Sequence, residues 1–210
     1  MEIDFPKDKR IGVMVSGGID STILYYLVAK KCQERGQTLI PLTAPKPDGS
    51  ADRANKMVKW MHDRYGFAPT ENVIVGEYFE TDESDVLCVA RGVQSLFDGH
   101  LVDIVMTGEN PYDFNAFNID PLFFPTKPRT FELYDGFEQK TGGKLIGICP
   151  FRNLYKDDIL QIVKDQKDYW LKNFILDETW SCVTPNVTEP CNICFWCVER
   201  HWAIEKVFKN

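Results

Sequence analysis

Residues 13–22 have the sequence VMVSGGIDST, and this stretch decides the fold. The apolar residues at 13–15 are typical of the end of a buried strand, and the apolar periodicity that begins at Ile23 predicts a helix. A glycine turn between a strand and a helix directs backbone N–H groups toward one point, where the helix dipole favours an anion. Gly17 and Gly18 remove the side chains that would keep a phosphate from the backbone. The alternative is a glycine turn that only packs a helix on a sheet.

Two hydroxyls and one carboxylate complete this turn. Ser16 and Ser21 add hydrogen-bond donors, whereas Asp20 needs a cation if it is to lie beside phosphates, so we assign it to Mg²⁺. No Gly-Lys-Ser/Thr follows, which excludes the mononucleotide P-loop. The SGGxDS string instead resembles the pyrophosphate loop (PP-loop) of the N-type ATP pyrophosphatases, which cleave ATP between the α- and β-phosphates. The resemblance implies that Asp20 and Ser21 are catalytic and that ATP is bound by Val15, Ser16, Gly17, Gly18, Asp20 and Ser21.

The composition is that of a globular protein. Apolar residues make up 44% of the 210 residues and charged residues 26%, which argues against disorder. The 24 basic and 31 acidic residues give a net charge of −7, so we expect no direct nucleic-acid partner. No apolar run approaches the length of a membrane span, and charged residues crowd positions 2–10 without an apolar signal-peptide core. We therefore expect a soluble, cytoplasmic protein without a membrane partner.

Strand and helix patterns alternate along the chain. Strand patterns occupy 11–15, 38–43, 72–75, 102–106 and 145–148, and helical patterns occupy 20–34, 51–65, 84–98, 156–163, 168–176 and a closing segment. This alternation predicts an α/β fold, a parallel twisted sheet with helices on both faces. Pro41 suits the second strand to an edge of that sheet or to an early exit from it, because proline cannot donate a ladder hydrogen bond. Ligands bind beyond the carboxyl ends of such strands, so the loops at 16–21, 43–50 and 107–131 should meet there.

Four of the seven cysteines lie close together in the sequence, at Cys182, Cys191, Cys194 and Cys197. The C-x8-C-x2-C-x2-C spacing lets the thiolates share one ion, and four protein ligands leave no open position on it. We therefore predict a structural Zn²⁺ site, a small four-cysteine knuckle in residues 177–210 that packs on a nucleotide-binding α/β domain, residues 1–176. The alternatives are four ordinary buried cysteines and a [4Fe–4S] cluster, which also uses closely spaced cysteines.

The long loop after the fourth predicted strand supplies the candidate substrate groups. Gly108, which follows Thr107, would let a ligand approach the backbone. Asp113 could orient a second Mg²⁺ or bind a base, or it could serve only a turn. Phe114 could stack on a flat heterocycle or belong to a local hydrophobic cluster. Arg129 is a cation that could meet a carboxylate or a phosphate, or could be an ordinary surface charge.

Four segments together resemble the 7-cyano-7-deazaguanine synthase family. They are SGGIDS at 16–21, Thr107-Gly108 with Asp113-Phe114, Pro150 with Lys156 six residues later, and the cysteine pattern followed by Arg200. The resemblance implies that Thr107 and Gly108 bind ATP, that Asp113 and Phe114 bind substrate and that Lys156 is catalytic. Independently, Lys156 begins a predicted helix, where a cation opposes the dipole, so a nearby anion would explain its position. We add Arg129 to the substrate-binding candidates because of its charge.

The reaction that the resemblance implies is an ATP-dependent ligation of the kind used in queuosine biosynthesis. The partners would be a small heterocyclic carboxylate, 7-carboxy-7-deazaguanine, and ammonia from solution; the cofactors would be ATP, Mg²⁺ and Zn²⁺. An acyl-adenylate, an amide and a second adenylation would lead to the nitrile, 7-cyano-7-deazaguanine (preQ0). The family also suggests a homodimer. Residues 42–47 and 117–121 depart from the family pattern, and Asn192 stands where a glycine is usual.

Two other functions fit the same sequence. The first is a different adenylating reaction, either amidation of another carboxylate or tRNA thiolation, for which Cys149 is the candidate reactive cysteine. A packed, inert thiol is the alternative interpretation of Cys149. The second is a catalytically inactive module that only binds nucleotide and metal, which the presence of Ser16, Asp20 and Ser21 disfavours.

Overall fold

Five parallel strands form one sheet in the computed structural model, which describes residues 1–44, 46, 48–68, 73–75, 85–112, 146–184 and 189–209 (backbone only at 85–91 and 146). The strands are β1 (Ile11–Met14), β2 (Leu39–Thr43), β3 (Val73–Ile74), β4 (Ile104–Met106) and β5 (Ile146–Ile148). Their order across the sheet is β3-β2-β1-β4-β5, and each adjacent pair is parallel. The order reverses between β1 and β4, so the loops after these two strands open a crevice at the carboxyl edge.

Six helices alternate with or follow the strands in the described part of the chain. They are α1 (Ile19–Arg35), α2 (Ser50–Tyr65), α3 (Asp85–Asp98), α4 (Lys156–Gln166), α5 (Tyr169–Glu178) and α6 (Phe195–Ile204). A π-helical segment, Glu205–Lys209, continues α6. Helix α4 runs three residues past the predicted end at 163, and the other ends lie within two residues of the predicted ones. Across the described ranges, none of these helices is both long and apolar enough to span a bilayer.

Apolar side chains cover both faces of the sheet. On one face, Ile11 and Val13 of β1 pack with Ile23 of α1 in a cluster that also includes residues of α2, α4, α5 and α6. On the other face, Leu42 of β2 packs in a separate cluster with Val93 of α3. Each fully buried aliphatic side chain of this kind contributes about 1.5–3 kcal/mol of transfer free energy. Helices on both faces of a parallel sheet confirm the predicted α/β class.

The prediction that Pro41 places β2 at an edge is wrong. Strand β2 lies between β1 and β3, and its pairing with β3 begins only at Leu42 among the described residues. The carbonyl of Leu42 accepts from Val15 on the β1 side, whereas that of Thr43 accepts from Val75 on the β3 side. Odd-numbered residues of β2 therefore direct their polar groups toward β3. The missing N–H of Pro41 therefore also faces the β3 side, where residues 69–72 lie outside the described ranges.

Asp168 joins three helices in one hydrogen-bond network. Its Oδ1 accepts the N–H groups of Trp170 and Leu171, both at 3.0 Å, which caps α5. Its Oδ2 accepts the hydroxyls of Tyr26 in α1 at 3.2 Å and Tyr65 in α2 at 2.9 Å. Burial first, and the Asp168 carboxylate second, raise the pKa of Tyr26 to about 12 and also raise the pKa of Tyr65. Both phenols therefore stay protonated and donate at neutral pH.

Asp168→Ala should lower the free energy of unfolding by about 2–3 kcal/mol, because it removes a helix cap and the acceptor of two partly buried hydroxyls. Urea unfolding followed by circular dichroism measures the change. Asp165→Ala is the control, since this carboxylate accepts one exposed hydrogen bond from Gln161 within α4, and its loss should stay below about 0.5 kcal/mol. Equal losses in the two variants would contradict the role of Asp168.

Candidate functional site

A cavity of about 300 Å³ opens at the carboxyl edge of the sheet, where the strand order reverses. All of the predicted ATP-binding residues except Gly17 line it, and so does Lys156. Most of the remaining lining comes from the segment before α2 and its first turn, and from the segment that carries the cysteines. The size falls at the lower end of the range for small-molecule sites.

Gly17 and Gly18 lie where the loop after β1 comes into close contact with two other segments of the chain. Gly17 has φ 72°, and a Cβ at this position would lie 2.5 Å from the Cβ of Arg53 in α2. A Cβ at Gly18 would lie 3.0 Å from the carbonyl oxygen of Trp180, whose N–H donates to the Gly17 carbonyl at 3.1 Å. At position 17, glycine meets both the positive φ and the lack of space. The sequence predicted that the missing side chains of these glycines let a phosphate approach the backbone. In the structure, part of that space is occupied by α2 and by the segment after α5.

Helix α1 begins without a side-chain cap, because Gly18 occupies the N-cap position. The Ser21 hydroxyl accepts the Ser16 N–H at 3.1 Å, donates to the Gly18 carbonyl at 3.2 Å and lies 3.1 Å from the Ser16 hydroxyl. Within the described ranges, no protein acceptor is bonded to the N–H groups of Ile19, Asp20 or Ser21. These N–H groups and the helix dipole make this end of α1 attractive to an anion.

Gly108 brings the loop after β4 onto the same helix start. A Cβ at Gly108 would lie 3.0 Å from the carbonyl carbon of Asp20 and 3.1 Å from the nitrogen of Ser21. The neighbouring Thr107 is held by its N–H, which donates to the Ile148 carbonyl of β5 at 3.0 Å. The missing side chain at Gly108 thus lets two protein segments approach each other, in addition to lining the cavity.

Lys156, the first residue of α4, lies between two carboxylates and is 4% exposed. Its Nζ contacts Oδ2 of Asp20 and lies 3.5 Å from Oε2 of Glu199, a residue of α6 that is 2% exposed. These carboxylates are the anions near a cation that opposes its helix dipole. They also tie the start of α1 to α4 and α6, since buried charges need one another as partners. Asp20, which the sequence assigned to Mg²⁺, thus has Lys156 as a partner on one oxygen.

Four buried polar atoms of cavity-lining residues have no hydrogen-bond partner in the part of the chain that the structure describes. They are Oδ1 of Asp20, Oγ of Ser50, Nε of Arg53 and Oγ1 of Thr107. Nearly all buried polar groups in native proteins are paired, and an unpaired one costs about 1–3 kcal/mol. At the cavity surface such atoms can bond to water or to a polar ligand.

The sequence did not predict several charged residues of the site, among them Glu199 and Arg53. Glu199 lies four residues after Phe195 and four before Ala203, both fully buried, so helical periodicity alone would have placed it on the inner face of α6. Arg53 lines the cavity from the first turn of α2, with its guanidinium 5.1 Å from the ring centre of Trp180. No local pattern marks Arg53, because its role depends on where α2 meets the loop after β1.

The four clustered cysteines come together in space. The Sγ atoms of Cys182, Cys191, Cys194 and Cys197 lie within 4.8 Å of one another, and those of Cys191 and Cys197 are 4.0 Å apart. Four thiolates bound tetrahedrally to one ion at about 2.3 Å would stand about 3.8 Å apart. The cluster could therefore hold a single metal ion with little rearrangement.

Backbone N–H groups point at the sulfurs of this cluster. Cys182 Sγ accepts the Cys191 N–H at 3.5 Å, and Cys191 Sγ accepts the Cys194 N–H at 3.4 Å. Burial raises the pKa of Cys191, but hydrogen bonds, chiefly from the backbone of Ile193 and Cys194, lower it to about 6. The thiolate is the form that binds metals. Asn192 makes the turn with φ 61°, a left-handed conformation that asparagine tolerates, so it can replace the usual glycine.

The cysteine cluster borders the cavity directly. Cys182 belongs both to the cluster and to the cavity lining. Helix α6 carries Cys197 and, two residues later, Glu199, the ion-pair partner of Lys156. The segment that could bind a metal is therefore also a wall of the site.

The predicted substrate residues Asp113, Phe114 and Arg129 lie outside the described residues. Cys149 follows β5 and is half-buried. Its thiol donates to the carbonyl of the cavity-lining Glu109 at 3.1 Å, so it lies beside the cavity wall.

Lys156→Met should lower the free energy of unfolding by about 3–5 kcal/mol, because the carboxylates of Asp20 and Glu199 lose a buried cation. Adding Glu199→Gln should recover part of this loss, so the double variant should be more stable than the sum of the single losses. Urea unfolding of the three variants measures this. Lys59→Met, at a side chain that is 72% exposed, should change stability by less than about 0.5 kcal/mol. Strict additivity would contradict the three-residue charge cluster.

Two solved structures show a distant similarity to this chain. The U34-tRNA thiolase NcsA from Methanococcus maripaludis, solved with its [4Fe–4S] cluster, is 16% identical with a TM-score of 0.47, and the match covers 95% of this chain and 67% of that chain. PH1313 from Pyrococcus horikoshii Ot3 is 15% identical with a TM-score of 0.40, over 74% of this chain and 41% of that chain. No protein-family model matches the sequence, and no curated protein matches it. The α/β assignment therefore rests on the strand order and helices themselves.

Proposed function

We propose that this protein is an ATP-dependent adenylating enzyme of the N-type ATP pyrophosphatase superfamily, which forms AMP and pyrophosphate. One observation carries the proposal: the uncapped start of α1, the paired hydroxyls of Ser16 and Ser21, and the Asp20–Lys156 pair all line one cavity at the reversal of strand order. This combination suits a polyphosphate, which needs N–H donors, a fixed cation and a site for a metal counter-ion.

Different groups of the site would bind or neutralise different parts of the charge on the nucleotide. The backbone N–H groups at 17–21 would bind phosphate oxygens, and Lys156 would stabilise the charge that develops as pyrophosphate leaves. The Oδ1 atom of Asp20, buried at the cavity and without a hydrogen-bond partner among described residues, would hold Mg²⁺, which supplies charge neutralisation. Glu199 would keep Lys156 in position from the side of α6. The protein would thus act mainly by orientation and electrostatics.

For the substrate we propose 7-carboxy-7-deazaguanine, on the strength of the motif resemblance and of two indole rings, Trp180 and Trp196, in the cavity wall. A carboxylate oxygen would attack the α-phosphorus, and the bond from that phosphorus to pyrophosphate would break. Ammonia would add to the acyl-adenylate and release AMP and a proton, leaving the amide. The amide oxygen would then attack the α-phosphorus of a second ATP and release a second pyrophosphate, and loss of AMP and a proton would give the nitrile.

A second candidate, thiolation of a tRNA base, is favoured by the thiol of Cys149 beside the cavity-lining Glu109. The two candidates share the adenylation step and differ in the acceptor and the nucleophile. A thiolase would need a sulfur donor and tRNA, whereas the net charge of −7 favours a small-molecule acceptor.

Incubation with Mg·ATP, ammonia and 7-carboxy-7-deazaguanine should release two AMP for each nitrile formed, measured by liquid chromatography. Asp20→Asn and Ser21→Ala should each lower kcat by about 10²–10³-fold, because each removes a group that acts on the developing charge. Asp52→Asn makes the same change in the first turn of α2 and should leave the rate within about twofold.

Other outcomes of this assay would redirect the proposal. AMP without nitrile would indicate a different acceptor, and AMP formed only with tRNA and a sulfur donor would support thiolation. Binding of Mg·ATP without AMP for any acceptor would contradict an adenylating enzyme and indicate a nucleotide-binding module.

We also propose that the cysteine cluster holds one Zn²⁺ and that residues 177–210 fold around it against the domain formed by residues 1–176. The spacing of the four sulfurs supports one ion in preference to a [4Fe–4S] cluster, because four thiolates that each bind a different iron must stand farther apart. The Trp180–Gly17 hydrogen bond and the Lys156–Glu199 ion pair support the packing of the two parts. A bound Zn²⁺ would cross-link the four cysteines and so stabilise the fold of residues 177–210.

Elemental analysis of the purified protein should find about one zinc per chain, and Cys194→Ser should reduce that content and lower Tm by several degrees, because one of four ligands is lost. Cys149→Ser is the control and should retain the metal. Iron together with visible absorbance would contradict the zinc assignment and indicate an iron–sulfur cluster.

A further inference from the structure

The cavity has a second wall, formed by the first turn of α2, to which the proposed reaction assigns no role. Ser50 and Arg53 line the cavity from this turn. A Cβ at Gly17 would lie 2.5 Å from the Cβ of Arg53 and 2.8 Å from its carbonyl carbon, so α2 touches the loop after β1. The starts of α1 and α2 therefore converge on one cavity, and each presents the positive end of its helix dipole.

Ser50 contributes a hydroxyl that the helix itself does not use. The residue is 3% exposed, and its Oγ has no hydrogen-bond partner among the described residues. The Ser50 N–H is already bonded to Oδ1 of Asp48 at 2.8 Å, and Gly49 at the N-cap position has no side chain. A buried hydroxyl that lines a cavity and lacks a protein acceptor is placed to donate to a bound group.

Arg53 is fixed by the protein and still has an unused donor. Its side chain is 17% exposed, its Nη1 donates to the Asp48 carbonyl, and its Nη2 lies 3.7 Å from the Asp48 carboxylate. The guanidinium carbon lies 5.1 Å from the ring centre of Trp180. Its Nε, by contrast, is buried without a partner within the described ranges. A guanidinium held rigidly with a spare N–H is suited to binding an oxyanion.

We propose that Ser50 and Arg53 form a second oxyanion subsite beside the loop after β1. Its ligand is either the terminal phosphates of the nucleotide or the carboxylate of the acid that is activated, and in naming these two the inference rests on the proposed function. Residues 42–47, which depart from the family resemblance, span the end of β2 and the segment that leads toward α2.

Isothermal titration calorimetry on the whole chain tests the subsite with four probes: Mg·ATP, AMP, pyrophosphate and 7-carboxy-7-deazaguanine. The variants are Ser50→Ala and Arg53→Gln, with Tm measured for each to verify folding. Arg64→Gln is the matched control, because Arg64 lies in the last turn of the same helix and its guanidinium stacks on Trp170 at 4.3 Å, away from the cavity lining.

If the subsite binds the terminal phosphates, Arg53→Gln should weaken the binding of Mg·ATP and of pyrophosphate by about 10-fold or more. The affinity for AMP should stay within about twofold. If the subsite binds the acid, Arg53→Gln should weaken only the binding of 7-carboxy-7-deazaguanine by that factor. Ser50→Ala should weaken the binding of the same probes as Arg53→Gln by about 3-fold or more, and Arg64→Gln should leave all four affinities unchanged.

Unchanged affinities in both cavity variants would overturn the subsite, and so would a wild-type chain that binds none of the four probes. Equal weakening by Arg53→Gln and Arg64→Gln would also overturn it, since the effect would then come from the helix as a whole. Because these measurements involve no turnover, a chain that binds Mg·ATP through Arg53 but never forms AMP would contradict the proposed function and support the subsite.

Discussion

Close contact between backbone segments is the constraint on which the site depends. At Gly17 the loop after β1 touches α2, at Gly18 it touches the carbonyl of Trp180, and at Gly108 the loop after β4 touches the start of α1. Four parts of the chain that are distant in sequence are therefore positioned by van der Waals contact of main-chain atoms, which have far less freedom than side chains. The N–H groups that face the cavity gain a fixed direction from this arrangement, as electrostatic binding of an anion requires.

Charge inside the site follows from the same packing. Lys156 is surrounded closely enough that it needs counter-charges, and Asp20 and Glu199 supply them from two different elements. One cation between two carboxylates leaves a net charge of −1, which would repel a bare polyphosphate at short range. The helix starts partly offset that charge, and an accompanying divalent cation would offset the rest. For the ligand that we propose, this arrangement favours a metal–nucleotide complex over the free nucleotide.

The sequence predicts this fold where the signals are local, and it fails where they are not. The strand, glycine turn and helix at 13–35, and the approach of the four cysteines, follow from periodicity and spacing alone. The edge position that Pro41 suggested for β2 is wrong because β3 pairs on its other side, and nothing in the local sequence around Pro41 shows that partner. The sequence did not identify Arg53 as a site residue, because its contact with the loop after β1 depends on how α2 packs. Glu199 could have been found, since a carboxylate on the inner face of a helix always needs a partner.

The position of Cys182 has a consequence for any measurement on this protein. One residue belongs both to the cysteine cluster and to the cavity lining. A small molecule that binds more tightly to the metal-bound arrangement of this wall would raise the affinity for the metal, and the metal would raise the affinity for that molecule by the same factor. Preparations that differ in metal content would then differ in apparent affinity, although no residue had changed.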